Sequence, residues 1–383
     1  MKIQDFDVVI SLNDTAILSG NSGVGFHELT IVEDIETILP TCTISFICDE
    51  FFLKDNPIVD GSKLQIDIFN SSKQVKESYK FRVFNTKIEI QNNVIIYNIY
   101  GYFDIYGMYS DAYKYVLFGN SSEVFNNIAA QLKLKTDIDN TKDKQLWSAS
   151  NLNVVQWLSN IANHGYIGDT SCMIWAVDRN CKLLYKDLSN IITRARNSSL
   201  YNLSVGMNNK LKSAKDIIYA TASPVFDSGV ENLSKRGYGG SDYYFDFKTY
   251  AIKEAVSKKA VASSNIINVN KDLAASASRN YYKGFNFGNH HENYYQAEIQ
   301  NQRLASLFST YFNINLRDWF NFSLLQPINF KYRSDNVAAS DIEALSGIYV
   351  VNKIISRYTL NSIQQEIQIM GQGYNTIKST TTF

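Results

Sequence analysis

The chain has 383 residues, of which 45% are hydrophobic and 19% are charged, so we expect sizeable folded cores in two to four domains. Its 37 Lys and Arg residues balance 37 Asp and Glu residues. A chain without basic excess has no strong attraction for phosphate backbones, which argues against nucleic acid as its main partner. Four cysteines without a CxxC pair favour reduced, buried thiols over a disulfide framework or a zinc site.

The amino-terminal residues lack the apolar run of a signal peptide. No stretch of the sequence is long and apolar enough to cross a bilayer. We therefore expect a protein that is made in a cytoplasm, does not insert into a membrane, and stays soluble or joins a particle.

Residues 1–117 have the pattern of successive strands. Leu64, Ile66 and Ile68 alternate with polar neighbours, which is the two-residue period of a half-buried strand. Two further strand-like runs, 88–90 and 94–97, flank a Gln-Asn-Asn turn that is typical of a hairpin. Closely spaced strands without long helices predict a barrel or a sandwich.

Residues 118–200 have a different period, which predicts a small α+β domain. Val124, Ile128 and Leu132 recur every four residues after a Ser-rich start, which indicates one helix. The same pattern predicts a second helix over 153–163. A hairpin is predicted over 173–185, around a central Asp-Arg-Asn turn.

The remaining chain is predicted to hold a second strand-rich domain, built from residues 201–235 and 311–376. Between these two pieces, residues 236–310 form an insertion with an irregular Gly-rich part and a helix near 293–310. The polar tail, 377–383, is expected to fray.

Two parts of the sequence resemble each other. Residues 82–88 lead through a turn to 95–101, and residues 349–355 lead through a turn to 366–371; both units end in Gly. An alternating strand precedes each unit, at 64–69 and at 328–332. We interpret the pattern as an internal duplication of one β domain. Chance similarity among strands rich in Ile, Tyr and Asn is the alternative.

The residues with catalytic potential do not form a recognisable motif. The run 290–292, His-His-Glu, lacks the i, i+4 spacing of helical metal ligands and is expected to be a polar surface turn. The carboxylate pairs Asp137 with Asp139 and Asp49 with Glu50 are expected in solvated turns, without an apolar pocket to raise a pKa. We therefore predict no enzyme activity, no catalytic or metal-binding residue and no cofactor.

Three ordered segments carry a resemblance to a known family. They are residues 119–129, residues 153–158 with the hairpin that follows, and the helix around Ala297 running on to 312–316 and 346–351. In this order they resemble the baseplate hub family of contractile phage tails, which includes late control proteins and the amino-terminal part of type VI secretion spike proteins. The chain departs from the family at Pro327, where a Pro-Gly turn is usual.

The resemblance implies a mainly β fold with α+β insertions and two tube-like β-barrel domains related by internal duplication. It implies a homotrimer whose six barrels form a ring of pseudo-sixfold symmetry between a hexameric tail tube and a central spike. The implied partners are the tail tube protein, the central spike protein and baseplate wedge proteins, with DNA only in transit through the channel. The implied location is the baseplate of the virion tail, assembled in the host cytoplasm.

Within such a ring, the alternating strands are the candidate interface strands. Their apolar residues are Leu64, Ile66, Ile68, Ile328, Phe330, Ile367 and Ile369. Two alternatives remain at this stage. Aromatic clusters at 243–245, 281–282 and 294–295 are compatible with a carbohydrate-active or sugar-binding tail protein. A hub of a non-phage contractile injection system would have the same sequence features.

Overall fold

The computed structural model describes residues 7–18, 25–48, 54, 58–69, 75–91, 94–105, 107–109, 116–149, 152–205, 215–226, 241–256, 281–286, 290–305, 308, 310–332, 345–359 and 362–371. Within these ranges no helix combines the length and the apolar character needed to cross a membrane. The predicted hairpin turn at 92–93, the pair Asp49 and Glu50, and the tail 377–383 lie outside the described residues.

The amino-terminal half contains the strands β1 (Asp7–Leu12), β2 (Thr15–Leu18), β3 (Gly25–Asp34), β4 (Thr41–Cys48), β5 (Lys63–Phe69), β6 (Val75–Gln91) and β7 (Val94–Phe103). The α+β segment that follows contains β8 (Val116–Gly119), α1 (Ser121–Gln131), β9 (Lys135–Ile138), β10 (Gln145–Ser148), α2 (Val154–Asn163), β11 (Met173–Val177), β12 (Lys182–Asp187) and α3 (Leu188–Ala195).

The rest of the chain contains β13 (Tyr201–Val205), β14 (Asp216–Phe226), β15 (Ser241–Asp246), β16 (Ala251–Val256), β17 (Tyr281–Asn286), α4 (Tyr294–Ala305), β18 (Thr310–Leu316), β19 (Pro327–Phe330), β20 (Gly347–Thr359) and β21 (Ile363–Gly371). The described residues of the insertion include a three-stranded sheet in the order β16-β15-β17 before its helix. Its irregular part stays a prediction. The exact domain boundaries stay a prediction.

Thirteen strands form one sheet that contains both strand-rich halves. Its order is β19-β13-β14-β18-β21-β20-β3-β4-β7-β6-β5-β1-β2, and β19 also pairs with β20. This extra pairing closes the six strands of the second half into a barrel. The prediction of a mainly β fold with α+β insertions is confirmed.

The two halves share one strand order. When β1, β3, β4, β5, β6 and β7 are counted from one to six, their order in the sheet is 1-4-5-6-3-2. Strands β13, β14, β18, β19, β20 and β21 have the same order. The first strand differs in direction, because β1 is antiparallel to β5 whereas β13 is parallel to β19. The shared order confirms the predicted internal duplication.

Irregularities in the strand register support the same conclusion. The pairing of β3 with β4 shifts between Phe26 and Glu28, and the pairing of β14 with β18 shifts between Tyr219 and Thr221. We take the two shifted positions, one in β3 and one in β14, as equivalent. Following the paired residues from strand to strand through each half then makes residue 84 equivalent to residue 352. Both of those positions are also register shifts, in β6 and in β20. A bulge is a specific feature of a strand, so this coincidence indicates common ancestry of the halves.

The structural alignment corrects one detail of the sequence repeat. Gly101 and Gly371 end the two similar segments, but the paired strands place Gly371 two residues beyond the equivalent of Gly101. Each glycine has its own packing reason. A Cβ on Gly101 would lie 2.8 Å from the sulfur of Cys42, and a Cβ on Gly371 would lie 2.5 Å from the ring of Tyr349.

The α+β segment packs against the first half through apolar helix faces. Each of the first two helices begins with a capping box, formed by Asn120 with Glu123 and by Asn153 with Gln156. The ring of Phe125 in α1 stacks on Tyr185 of β12, with ring centroids 3.9 Å apart. These contacts belong to the core of the first barrel, while α3 belongs to the core of the second. The segment therefore connects the two barrel cores.

Candidate assembly surface

Among the described strands, the two halves of the chain meet in the pairing of β3 with β20. Residues 353–359 of β20 pair antiparallel with residues 28–34 of β3, from Lys353 opposite Asp34 to Thr359 opposite Glu28. The Nζ atom of Lys353 lies 3.0 Å from a carboxylate oxygen of Asp34. A continuous ladder of backbone hydrogen bonds leaves little freedom between its two sides, so the barrels are fixed relative to each other.

A buried ion pair joins the α+β segment to this junction. Arg179, in the turn between β11 and β12, donates its backbone N–H to Glu33 of β3 at 2.9 Å. Its Nε atom lies 3.4 Å from the other oxygen of Glu33, and both side chains are almost fully buried. A guanidinium nitrogen also donates to the side-chain oxygen of Asn321 and to the carbonyl of Phe322. Arg179 therefore binds all three parts of the molecule.

Burial decides the protonation of Glu33. Removal from water raises the pKa of this carboxyl, and the nearby charge and backbone N–H of Arg179 offset only part of that rise, so its pKa is about 7. Sequence reasoning identified residues 178–180 only as a turn. No sequence signal marks this contact, because its two partners are 146 positions apart.

Strand β6 has a segment with a partner on one side only. Its first part pairs with β5, from Val75 to Arg82, and the rest continues with β7 alone to Gln91. In this second part the side chains of Ile88 and Ile90 are 52% and 73% exposed. Among the described strands, no other pairs with this segment. It is an exposed sheet edge with apolar side chains, which is unusual in a monomeric protein.

Strand β14 has a similar segment. Strand β13 pairs with residues 216–219 of β14, and the residues from 221 to 226 pair only with β18 among the described strands. Thr221, Ser223, Pro224 and Val225 are exposed along this segment. Among the described strands, each half of the sheet therefore has one such segment with a partner on one side only, in addition to the terminal strand β2.

The seven residues of the predicted interface strands lie elsewhere. They are buried in the two cores of a single chain, namely Leu64, Ile66, Ile68, Ile328, Phe330, Ile367 and Ile369. Two pairs are equivalent in the duplicated halves, since Leu64 corresponds to Ile328 and Ile66 to Phe330. Their side chains stabilise the barrels, and a role of their strands in contacts between subunits stays a prediction.

The His-His-Glu run leads into a turn in which Glu292 is exposed as expected, but its two histidines are partly buried. The ring of His290 stacks on Tyr294 with centroids 3.9 Å apart, and His164 stacks on the same tyrosine at 3.8 Å. Burial lowers the pKa of His290 to about 4. His291 contacts the carbonyl of His164 through Nε2 at 3.1 Å. In the described part of the chain, no group of three potential ligands is arranged to hold a metal ion.

The carboxylates Asp137 and Asp139 also differ from the expectation of solvated turns. Asp137 lies on β9, and Lys186 bridges it to the buried Asp139 with contacts of 2.8 and 3.0 Å. Although partial burial raises the pKa of Asp137, hydrogen bonds and charge from Lys186 and Lys182 hold it below its usual value. Asp137 therefore lacks the raised pKa of a general acid.

The described aromatic clusters pack within the chain. Tyr244 stacks on Tyr295 at 4.4 Å, and Tyr295 meets Tyr294 edge to face at 5.3 Å. The side chains of residues 281–282 lie outside the described part. Of the four cysteines, Cys42, Cys48 and Cys172 are buried as predicted, whereas Cys181 is exposed.

Comparison with known proteins shows the fold. No family model and no curated protein sequence matches the chain. The 43 kDa tail protein of prophage MuSo2 from Shewanella oneidensis matches 96% of this chain and 100% of its own, with a TM-score of 0.59 and 10% identity. A tail protein from Neisseria meningitidis MC58 matches 96% of both chains, with a TM-score of 0.55 and 11% identity. The chain therefore has the fold of these two tail proteins over nearly its whole length.

Proposed function

We propose that this chain is a structural hub subunit of a contractile tail baseplate. Three copies form a ring of pseudo-sixfold symmetry that joins a hexameric tail tube to a central spike, and DNA passes through the ring. Its partners are the tail tube protein, the central spike protein and baseplate wedge proteins, and its location is the virion tail.

One observation carries this proposal: two halves of the same strand order, one of them a closed barrel, are held in one sheet within one chain. A ring of three such chains presents six similar units to a sixfold tube and three chains to a threefold spike. The balance of 37 basic and 37 acidic residues also suits a channel that DNA crosses without being held.

A structural role is favoured over an enzymatic one. The ion-paired Asp137 and Asp139 lack the environment of a catalytic acid, and Tyr244, Tyr294 and Tyr295 use their ring faces for contacts within the chain. A sugar-active protein needs a cleft with convergent carboxylates and accessible rings.

The test is the mass and shape of the purified full-length chain. Light scattering should give three times the chain mass, and negative-stain images should show a ring with six lobes. A monomer at high protein concentration would refute the hub. Release of reducing sugars from host wall material, abolished by Asp139→Asn, would support the sugar-active alternative instead. Neighbouring genes decide between a phage tail and another contractile injection device.

A further inference from the structure

We propose that copies of this chain associate by adding the open edge of β6 in one copy to the open edge of β14 in the next. Residues 86–91 pair antiparallel with residues 221–226, and the second copy of this chain is the occupant of both edges. The inference rests on the proposed ring and names the contact that would build it.

The junction inside the chain is the template for this contact. There, the fifth strand of the second half, β20, pairs with the second strand of the first half, β3. The equivalent strands are β6, which is the fifth strand of the first half, and β14, which is the second strand of the second half. Each half therefore uses one of these two edges within the chain and leaves the other open.

The duplication also fixes the register between copies. Within the chain, Arg357 lies opposite Thr30. When the bulges of the two halves are superposed, the equivalent pair between two copies is Glu89 of one copy opposite Ser223 of the next. By the same superposition, Ile90 lies opposite Ala222. A shift of one residue would turn every side chain to the wrong face, so the register is a strict prediction.

The chemistry of the two edges is compatible with this pairing. Ile88 and Ile90 are 52% and 73% exposed on one edge, and Val225 is 41% exposed on the other. The pairing removes these apolar side chains from water and satisfies backbone groups by β-strand addition. Pro224, opposite Ile88, has no N–H to donate, so the ladder lacks one possible bond there.

The contact is head to tail, because it joins different surfaces of the two copies. Such a contact closes into a ring when its rotation allows, and it otherwise continues into an open filament. Repetition of the internal junction at each contact between copies gives every barrel in the ring a similar environment.

Disulfide trapping tests the register. In a Cys181→Ser background, the full-length Glu89→Cys/Ser223→Cys variant is oxidised mildly with diamide and analysed on non-reducing gels. Facing positions of an antiparallel pair are within disulfide range. Covalent dimers and trimers are expected. The matched positive control is Thr30→Cys/Arg357→Cys, which occupies the equivalent pair inside the chain and should give an intrachain disulfide.

The negative control is Glu89→Cys/Ala222→Cys, whose side chains would lie on opposite faces and should stay monomeric on the gel. A second variant, Ile88→Lys/Ile90→Lys, should weaken association in light scattering, whereas Ile252→Lys, at a residue 67% exposed on β16, should not.

Three results would overturn the inference. A trimer by light scattering without cross-links in Glu89→Cys/Ser223→Cys would refute this contact and leave the hub intact. An intrachain disulfide in that variant would show that the two edges meet within one chain. A strict monomer would refute both the contact and the hub.

Discussion

Arg179 and Glu33 form a buried ion pair, with Nε and a carboxylate oxygen 3.4 Å apart, although the residues are separated by 146 positions in the chain. Glu33 lies in the strand that joins the two barrels, and Arg179 lies in a turn of the α+β segment. The pair therefore ties a local insertion to the contact that sets the barrel geometry.

Replacement of Arg179 should destabilise the folded protein. Arg179→Ala leaves Glu33 buried without its charged partner and should lower the free energy of unfolding by about 3–5 kcal/mol. Urea unfolding followed by circular dichroism measures the change. Arg194→Ala is the matched control, because this exposed residue also contacts an aspartate, at 3.7 Å, and should cost less than about 1 kcal/mol. Similar losses in the two variants would contradict the role of the buried pair.

The raised pKa of Glu33 gives the stability a specific dependence on pH. The folded state holds this proton up to about pH 7, whereas the carboxyl of the unfolded chain releases it near 4.5. The contribution of Glu33 to stability is therefore fully present below pH 4.5 and is lost as the pH rises to 7. The expected loss is about 3 kcal/mol, because the two pKa values differ by about 2.5 units.

Glu33→Gln removes this titration while keeping the shape of the side chain. Its stability relative to the wild type should therefore increase between pH 5 and pH 8 (roughly the window that the two pKa values define). Chemical unfolding at several pH values measures the difference. A constant difference between the two proteins across that range would show that Glu33 does not titrate there.

Two nearby glycines provide a matched test of packing. A Cβ on Gly165 would lie 2.0 Å from the hydroxyl of Tyr185, whereas a Cβ on Gly168 would have no neighbour within 4 Å. Tyr185 cannot move easily because its ring stacks on Phe125. We expect Gly165→Ala to cost about 1–3 kcal/mol and Gly168→Ala to be nearly neutral in thermal unfolding. Equal melting temperatures for the two variants would be inconsistent with the close approach.

Asn301 is a buried polar residue on the inner face of α4, and its hydrogen bonds explain why a polar side chain lies there. Its amide nitrogen donates to three carbonyls at the end of α2, those of Ala162, Asn163 and Gly165, and its oxygen accepts the N–H of Met173.

Asn301→Ala should therefore cost about 2–4 kcal/mol, because the loss leaves several buried backbone groups without partners. Asn126→Ala, which removes one bond from an exposed side chain to the carbonyl of Ser122, is the control and should cost less than about 1 kcal/mol. Urea unfolding compares the two, and a loss for Asn301→Ala no larger than that of the control would refute the bridging role.

The sequence by itself determined the local structure and the duplication. The alternation of Leu64, Ile66 and Ile68 marked an inward face, and the four-residue period of Val124 and Ile128 marked a helix; both depend on neighbours close in the chain. The similar segments fell on equivalent strands of the two halves, although the glycines that ended them differ by two positions.

Only the tertiary structure shows which side chains are buried in a core and which of the described strand edges pair within the chain. Alternation shows that a residue faces inward, but the same pattern fits a barrel core or a subunit interface, and here it proved to be the core for all seven residues. Contacts such as Glu33 with Arg179, and the pairing of β3 with β20, join residues far apart in the chain. Local periodicity has no information about such partners, because they depend on how the whole sheet closes.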